Sequence, residues 1–306
     1  MKRLIAIVGP TGIGKSRLAL HLASLFRGEI IGADSRQIYR FIDIGTAKPT
    51  PNELASLPHH LIDILDPDEE FSLAQYLQTT NRTIEEIYQR GNLPFLVGGT
   101  GLYIRSVLEN WQVPAVPPDR NFRYNKEKKA SEGSIDELYN ELVIADPNAA
   151  AKIDRRNVRR VIRALEVRNK ASQAFPRPGQ KQPPAFVPFI IGLMTGRTEL
   201  YHRVDLRVDD MIDNGLVREV ERLLKMGYNL NLPSMSGIGY RQIGQYLKGE
   251  ITLEAARQKI KTETHRFIRH QYAWFKLDDP GIHWFDIMNR PYAEIEKMLS
   301  EFLGSG

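Results

Sequence analysis

Eight residues near the start, Gly9-Pro10-Thr11-Gly12-Ile13-Gly14-Lys15-Ser16, restrict the fold of this chain more than any other stretch. They follow the apolar run Leu4-Ile5-Ala6-Ile7-Val8 and open onto a helix-like segment over residues 17–26. The pattern G-x-x-x-x-G-K-[ST] between a buried strand and a helix is a phosphate-gripping turn. Gly9 and Gly14 let the backbone curl so that successive N–H groups converge on anionic oxygens. The helix adds its positive end, Lys15 a mobile point charge, and Ser16 a hydroxyl able to ligate Mg²⁺. A di- or triphosphate site follows, but its use does not. A kinase, an NTP hydrolase and a transferase with diphosphate as leaving group all remain open.

The next segments extend a parallel α/β sheet. Residues 29–33 read as a short buried strand ending at Asp34-Ser35-Arg36-Gln37. Ligands of open α/β sheets gather at the carboxyl ends of strands, which would set Asp34 beside the glycine turn. Capping a following helix would suit an aspartate there equally well. Residues 43–49 form a polar loop with a cationic tip. His59 and His60, adjacent on a strand, point to opposite faces and make no metal site by themselves. Residues 71–90 carry helical apolar spacing. Residues 93–97 are another buried strand, and Gly98-Gly99-Thr100-Gly101 turns it into a helix over 102–109. This second glycine turn brings Thr100 and further amides to the same sheet edge.

Charge marks off the middle of the chain. The net charge is +5, yet residues 120–182 hold 15 Lys/Arg against 8 Asp/Glu, an excess of seven that leaves the remainder at −2. A polyanion-binding surface confined to one region is the natural reading. Pro114, Pro117 and Pro118 suggest a hinge before it. A basic helix is expected over 123–145, and a second over 155–170 with Asp154 as its N-cap. On that second helix Val158, Val161, Ile162 and Leu165 share one arc, and Arg155, Arg156, Arg159, Arg160 and Arg163 fan over the other. Solvated helix faces usually interleave acids with bases, so five arginines favour phosphate-backbone binding. A proline-rich loop over 171–188 returns to a strand at 186–193.

From residue 198 the pattern is helical almost to 276. Arg203 and Arg207 lie one turn apart, and residues 237–242 interrupt the run. His265, Arg266, Arg269, His270 and Gln271 precede Tyr272, Trp274 and Phe275. Basic residues beside aromatics suit nucleic acid, although Trp274 and Phe275 would serve equally in a core. A short strand over 282–285 and a helix over 291–303 close the chain. Cysteine is absent, which excludes disulfides, thiolate zinc sites and cysteine nucleophiles and suits a reducing cytoplasm. No apolar run approaches the ~18 residues of a membrane span, and no signal peptide is visible.

Taken together, GPTGIGKS (9–16), ADSRQIYR (33–40), DIGTAKP (43–49), PHHLID (58–63), GGTGLYI (98–104), RRVIRALEV (159–167), RVDDMIDNGLVREV (207–220), GIGYRQ (237–242) and the 264–276 helix resemble the tRNA dimethylallyltransferases, also called tRNA isopentenyltransferases. The segments span nearly the whole chain. The resemblance implies a P-loop, nucleotide-kinase-like parallel sheet over 1–113 and 185–306, with a helical tRNA-binding domain inserted at 114–184. It implies transfer of a dimethylallyl group from dimethylallyl diphosphate to N6 of the adenosine 3′ to the anticodon of tRNA. It also implies Mg²⁺ on Ser16, a cytoplasmic, monomeric enzyme and no obligate protein partner.

By position, Asp34 resembles the general base, and Gly9 to Ser16, with Arg207 opposite, the diphosphate site. Asp34, Ser35, Arg36, Gln37, Thr100, Arg123, Arg159, Arg160, Val161, Ile162 and Arg163 resemble tRNA-contacting positions, with Gln37 suited to reading an adenine edge. Gly12-Ile13 replaces the Ala-Ser more usual in the family, and His270 stands where lysine is frequent. Three other readings share the P-loop: prenylation of free AMP, ADP or ATP; a small-molecule kinase; and an RNA-binding protein in which the loop only switches conformation. The first leaves the basic middle region without a task.

Overall fold

The computed structural model describes residues 2–113, 116–170, 180–181 and 186–304. The chain divides into two compact units: residues 1–110 with 183–306, and residues 111–182.

In the larger unit, β1 (Arg3–Val8) leads through the glycine octet into α1 (Lys15–Leu25), and β2 (Gly28–Gly32) follows. Next come α2 (Pro51–Ser56), β3 (His59–His60), α3 (Leu73–Gln89), β4 (Leu93–Val97) and α4 (Gly101–Leu108). Capping boxes fix the starts of α2 and α3: Thr50 pairs with Glu53, and Ser72 with Gln75.

The smaller unit holds β5 (Trp111–Gln112), α5 (Arg120–Ser131), α6 (Ile135–Ala145), α7 (Pro147–Ala150), α8 (Val158–Lys170) and β6 (Gln180–Lys181). Back in the larger unit are β7 (Val187–Met194), α9 (Arg197–Asp213), α10 (Leu216–Lys225), α11 (Tyr240–Leu247), α12 (Leu253–Trp274), β8 (His283–Asp286) and α13 (Tyr292–Gly304).

The larger unit is built on a six-stranded sheet in the order β3-β2-β4-β1-β7-β8. Every pairing in it is parallel. Strands buried on both faces must be apolar throughout rather than alternating, and Leu4 to Val8 are fully buried. Ile5, Ile7, Phe95 and Ile191 anchor the cluster under α1 and α13. A second cluster joins Ile38 and Ile42 to α9, α10, α11 and α12 through Val208, Val220, Ile243 and Ile260. Every strand therefore delivers its carboxyl end to one edge of the sheet, and the glycine octet leaves from a central strand. His60 is structural: its Nε2 lies 2.6 Å from the buried Glu29, which Arg90 and Asn92 also hold.

The smaller unit packs Leu138, Leu142, Val161, Ile162 and Leu165 into its own core. Three expectations are corrected there. The helix expected over 123–145 is two, α5 and α6, interrupted at Gly133-Ser134. The arginine helix begins at Val158, not at 155. Asp154 turns back to cap the Arg156 amide at 3.0 Å, and Asn157 accepts from Arg160 N at 3.3 Å. Val161 and Ile162, 1% and 2% exposed, are core residues, so their side chains offer nothing to a polyanion. Of the loop expected over 171–188, residues 171–179 and 182–185 lie outside the described residues, as does Pro114. Residues 180–181 pair with β5 as an antiparallel strand.

Glu166, 1% exposed, organises this unit. It accepts from Arg123 Nε and Nη2 (2.9 and 2.8 Å), Arg163 Nη1 (2.5 Å) and Asp119 N (2.6 Å). Burial pushes its carboxyl up, but the Arg123, Asp119 and Arg163 bonds together outweigh that and hold it below the usual range. This contribution is present above the unfolded pKa and fades as pH falls through the lowered folded one. Glu166→Ala leaves two guanidiniums and an amide facing a hole; a loss of roughly 3 kcal/mol is expected in chemical denaturation.

Candidate active site at the strand ends

The phosphate turn needs its glycines. Gly9, Gly12 and Gly14 have φ of 138°, 79° and 101°, in the region that L side chains avoid. A Cβ on Gly9 would also sit 2.6 Å from the Leu193 carbonyl oxygen, so the close approach of β7 forbids one. Lys15 folds back over the turn, donating to Gly9 O (3.0 Å) and Pro10 O (2.8 Å). Burial first, then the Arg207 guanidinium, bring the Lys15 ammonium down to about 7 against a smaller upward pull from Asp34. Arg207 arrives from α9 and reaches Thr11 Oγ1 at 3.4 Å. Its pKa is lowered by burial and drawn back up by Asp34. Lys15, Arg207 and Asp34 thus feel one another. Among the described residues Asp34 is the anion that both cations feel, a charge pattern that invites a polyanionic ligand.

Asp34 follows β2. Its Oδ1 accepts from Arg36 N at 2.8 Å, capping the turn over residues 35–38; no helix follows it directly. Its other oxygen makes no hydrogen bond among the described residues. Thr100, in the second glycine turn, accepts at Oγ1 from Ser35 N (3.0 Å) and donates weakly to Ser35 Oγ (3.4 Å). The two turns are joined through these atoms. Arg36 donates to Pro233 O and to Ser236 Oγ. Gln37 spends both amide hydrogens on Thr46 O (3.0 Å) and Ala47 O (3.2 Å), which leaves only its oxygen unengaged.

These residues border a cleft of about 420 Å³ at the strand ends. Thr11, Asp34, Ser35, Arg36, Thr100 and Arg207 line it, and Gln37 does not. Of the octet, only Thr11 reaches the wall. Much of the rest is apolar, including Val208, Met211, Phe267 and Trp274. Trp274 is 36% exposed at the cleft, whereas its neighbour Phe275, at 2%, belongs to the core.

Two contributors, Glu219 and Phe267, lay outside the reading of the sequence, and a third, Gln271, was read only as part of the basic and aromatic stretch over 262–276. Glu219, 5% exposed on α10, accepts from Asp43 N (3.1 Å), Ile44 N (2.8 Å), Gly45 N (3.3 Å) and Tyr240 OH (2.5 Å). It thereby pins the loop whose carbonyls hold Gln37. A carboxylate on the apolar arc of Leu216, Val220 and Leu223 was its only sequence signal. Phe267 and Gln271 lie on α12 at a spacing that puts both near Trp274, but nothing in the residue types says which face meets the cleft.

Among the described residues no group of three His, Cys, Asp or Glu could hold a metal ion. Ser16 is exposed at the start of α1 and its hydroxyl has no partner among those residues. One hard protein oxygen beside a phosphate site fits Mg²⁺, which keeps most of its ligands as water and phosphate. No described helix is long and apolar enough to cross a membrane.

In the smaller unit, Arg123 and Arg163 are engaged by Glu166. Arg155 pairs with Asp136 and Arg156 with Asp154. Arg159 and Arg160 are exposed and take no side-chain partner among the described residues. The fan of five arginines therefore reduces to two uncommitted ones.

A family model described as "IPP transferase" matches residues 37–278, and one described as "Isopentenyl transferase" matches residues 2–64. A tRNA dimethylallyltransferase of Dehalococcoides mccartyi is 47% identical over 303 residues, covering 99% of this chain and 93% of that protein. One from Roseiflexus castenholzii is 52% identical over 273 residues, 89% of each. The crystal structure of a tRNA isopentenylpyrophosphate transferase from Bacillus halodurans superposes with a TM-score of 0.73 at 37% identity, covering 98% of this chain and 96% of that one. A eukaryotic dimethylallyltransferase caught acting on tRNA superposes with a TM-score of 0.76 at 29% identity, over 94% and 74% of the two chains.

Proposed function

The chain belongs to the IPP transferase family, and on that premise we propose how its residues divide the work of a tRNA dimethylallyltransferase. The reaction transfers a dimethylallyl group to N6 of the adenosine 3′ to the anticodon. The allylic C–O bond breaks, an N6–C bond forms, N6 loses a proton, and diphosphate departs. The donor is dimethylallyl diphosphate, with its diphosphate in the turn of residues 9–16 and its tail on the apolar wall of Val208, Met211 and Phe267.

The amine of adenine is a poor nucleophile because its lone pair is spread into the ring. Catalysis therefore depends on the leaving group. As the C–O bond stretches, negative charge collects on diphosphate, where contacts that strengthen with that charge lower the barrier. Lys15, Arg207 and the amides of the turn supply them. Mg²⁺ held at Ser16 would neutralise further charge on the same oxygens. Asp34, with one oxygen tied to Arg36 N and the other unengaged, accepts the N6 proton. A base inside an anticodon loop must leave its stack to reach such a cleft. Ser35, Arg36 and Thr100 line the cleft, and the Gln37 oxygen, without a partner among the described residues, suits an amino group rather than a carbonyl.

The observation that carries this reading is that Lys15 and Arg207 feel each other at the phosphate turn, beside an Asp34 oxygen without a partner among the described residues. Offering tRNA and AMP separately, with dimethylallyl diphosphate, tests it. Transfer to tRNA alone is expected, and preferential transfer to AMP would refute it.

Arg159 and Arg160 supply phosphate-backbone contacts. Arg159→Ala with Arg160→Ala should weaken tRNA binding and flatten the plot of log K against log salt by roughly two units, as counted by counterion release. An unchanged slope would leave those arginines in bulk solvent.

The Lys15 ammonium gives a pH signature. Its pKa is about 7 without ligand, and an anion beside it raises that value. Above pH 7 binding then takes up a proton, so affinity for inorganic diphosphate should fall about tenfold per pH unit until the bound-state pKa is reached. Calorimetry in buffers of different ionisation enthalpy would register the proton. No uptake at pH 8 would contradict the assignment.

A further inference from the structure

Gln271, on α12, is 4% exposed and lines the cleft. Its two amide ends face two different loops. Oε1 accepts from Thr11 N at 2.8 Å, and Nε2 donates to Gly99 O at 2.9 Å. One buried carboxamide therefore joins the tip of the phosphate turn, the second glycine turn and the long helix. Its orientation is forced, because a carbonyl can only meet the NH₂ end and an amide hydrogen only the oxygen.

The bond has a consequence for the phosphate turn. Thr11 N–H, which a free P-loop could aim at an anion, is already committed, while the Thr11 hydroxyl is left to Arg207. The same carboxamide also crowds the Cα of Gly99. A Cβ there would lie 2.5 Å from Gln271 Nε2 and 3.9 Å from Lys15 Nζ. Its backbone does not adopt a positive φ, so contact with Gln271, not conformation, excludes a side chain.

We infer that Gln271 is a positioning residue for the diphosphate pocket: it staples the tip of the phosphate turn to the Gly99 turn and so presets the turn for the donor. The inference rests on reading residues 9–16 as the diphosphate site. Without the staple, Thr11 N–H and Gly99 O lose their partners and the tip must be ordered by the ligand at each binding event. The loss falls on donor affinity rather than on the chemical step, because Gln271 makes no hydrogen bond to Asp34 or Arg207.

The test is a double-mutant cycle on the full chain, read by calorimetric titration of inorganic diphosphate with Mg²⁺ and by steady-state kinetics on tRNA. Gln271→Ala and Gly99→Ala should each weaken diphosphate binding and raise the KM for dimethylallyl diphosphate about tenfold, the scale of one orphaned buried group. Saturating turnover should stay within about threefold. Removing the Gln271 side chain also removes the obstacle to the alanine methyl. The pair should therefore be no worse than Gln271→Ala alone, instead of roughly a hundredfold worse. Gln271→Met, of similar length, keeps the packing and should reproduce the affinity loss even if Gln271→Ala melts early. Multiplying effects, or an unchanged diphosphate affinity in Gln271→Met, would overturn the staple. Lys15→Ala separates the two levels. If it too binds diphosphate normally, the pocket reading fails; if it abolishes binding while the cycle is additive, only the role of Gln271 fails.

Discussion

Asp34→Ala should lower turnover at least a hundredfold, the lower end of the roughly 10²–10⁴ attributed to general base catalysis, with tRNA affinity within a factor of a few. Two roles meet at this residue. One oxygen caps the turn that carries Ser35 and Arg36 into the cleft wall, and the other, without a partner among the described residues, can take a proton. Asp34→Asn separates them. Its side-chain oxygen can still accept from Arg36 N, so the turn persists, but an amide cannot accept the N6 proton. Turnover in Asp34→Asn should therefore fall nearly as far as in Asp34→Ala. A variant with asparagine that works normally would make Asp34 a turn cap and nothing more.

The second large effect concerns Arg207. Lys15 in the turn and Arg207 on α9 are cations that burial makes worth more to a neighbouring anion than they would be in water. Arg207→Ala should cost on the order of 10²–10³ in turnover, comparable to removing one charge-stabilising donor from other active sites. The Michaelis constant for the donor should rise far less, since the intact diphosphate ester carries less charge on its bridging oxygen than the leaving diphosphate does. Arg207→Lys should recover only part of the loss, because an ammonium on a shorter reach cannot span Thr11 and the ligand as a planar guanidinium does. An Arg207→Ala enzyme that loses donor affinity with normal saturating turnover would show ground-state binding alone.

Much of the scaffold was legible in the sequence because buried parallel strands are written as short apolar runs: 4–8, 30–31 and 95–97 are such runs, and each precedes a glycine or aspartate turn. The octet was legible as a glycine turn between a strand and a helix, and the positive φ of Gly9, Gly12 and Gly14 shows why glycine stands at those three positions. The arginine helix was only half legible. Periodicity placed Val161 and Ile162 inward, but no pattern within 155–163 reveals that Asp136, Asp154 and Glu166 neutralise four neighbouring arginines. Asp136 comes from another helix, whereas Asp154 stands just before the arginines and Glu166 on their own helix, where only the folded geometry shows the pairing. Gln271 and Glu219 were illegible for the same reason. Each is a polar residue on a helix that holds backbone atoms more than 170 residues away, and backbone partners leave no trace in residue type.

On the proposed function, the turn of residues 9–16 holds a leaving group, so that carbon rather than phosphorus is transferred. That reading is tested most directly by incubating tRNA with the enzyme, Mg²⁺ and dimethylallyl diphosphate, digesting the RNA to nucleosides and weighing them. The account predicts one adenosine per molecule, 3′ to the anticodon, heavier by a five-carbon unit on N6, with one diphosphate released for each. Unmodified RNA, together with loss of the terminal phosphate of ATP to a small acceptor, would contradict it.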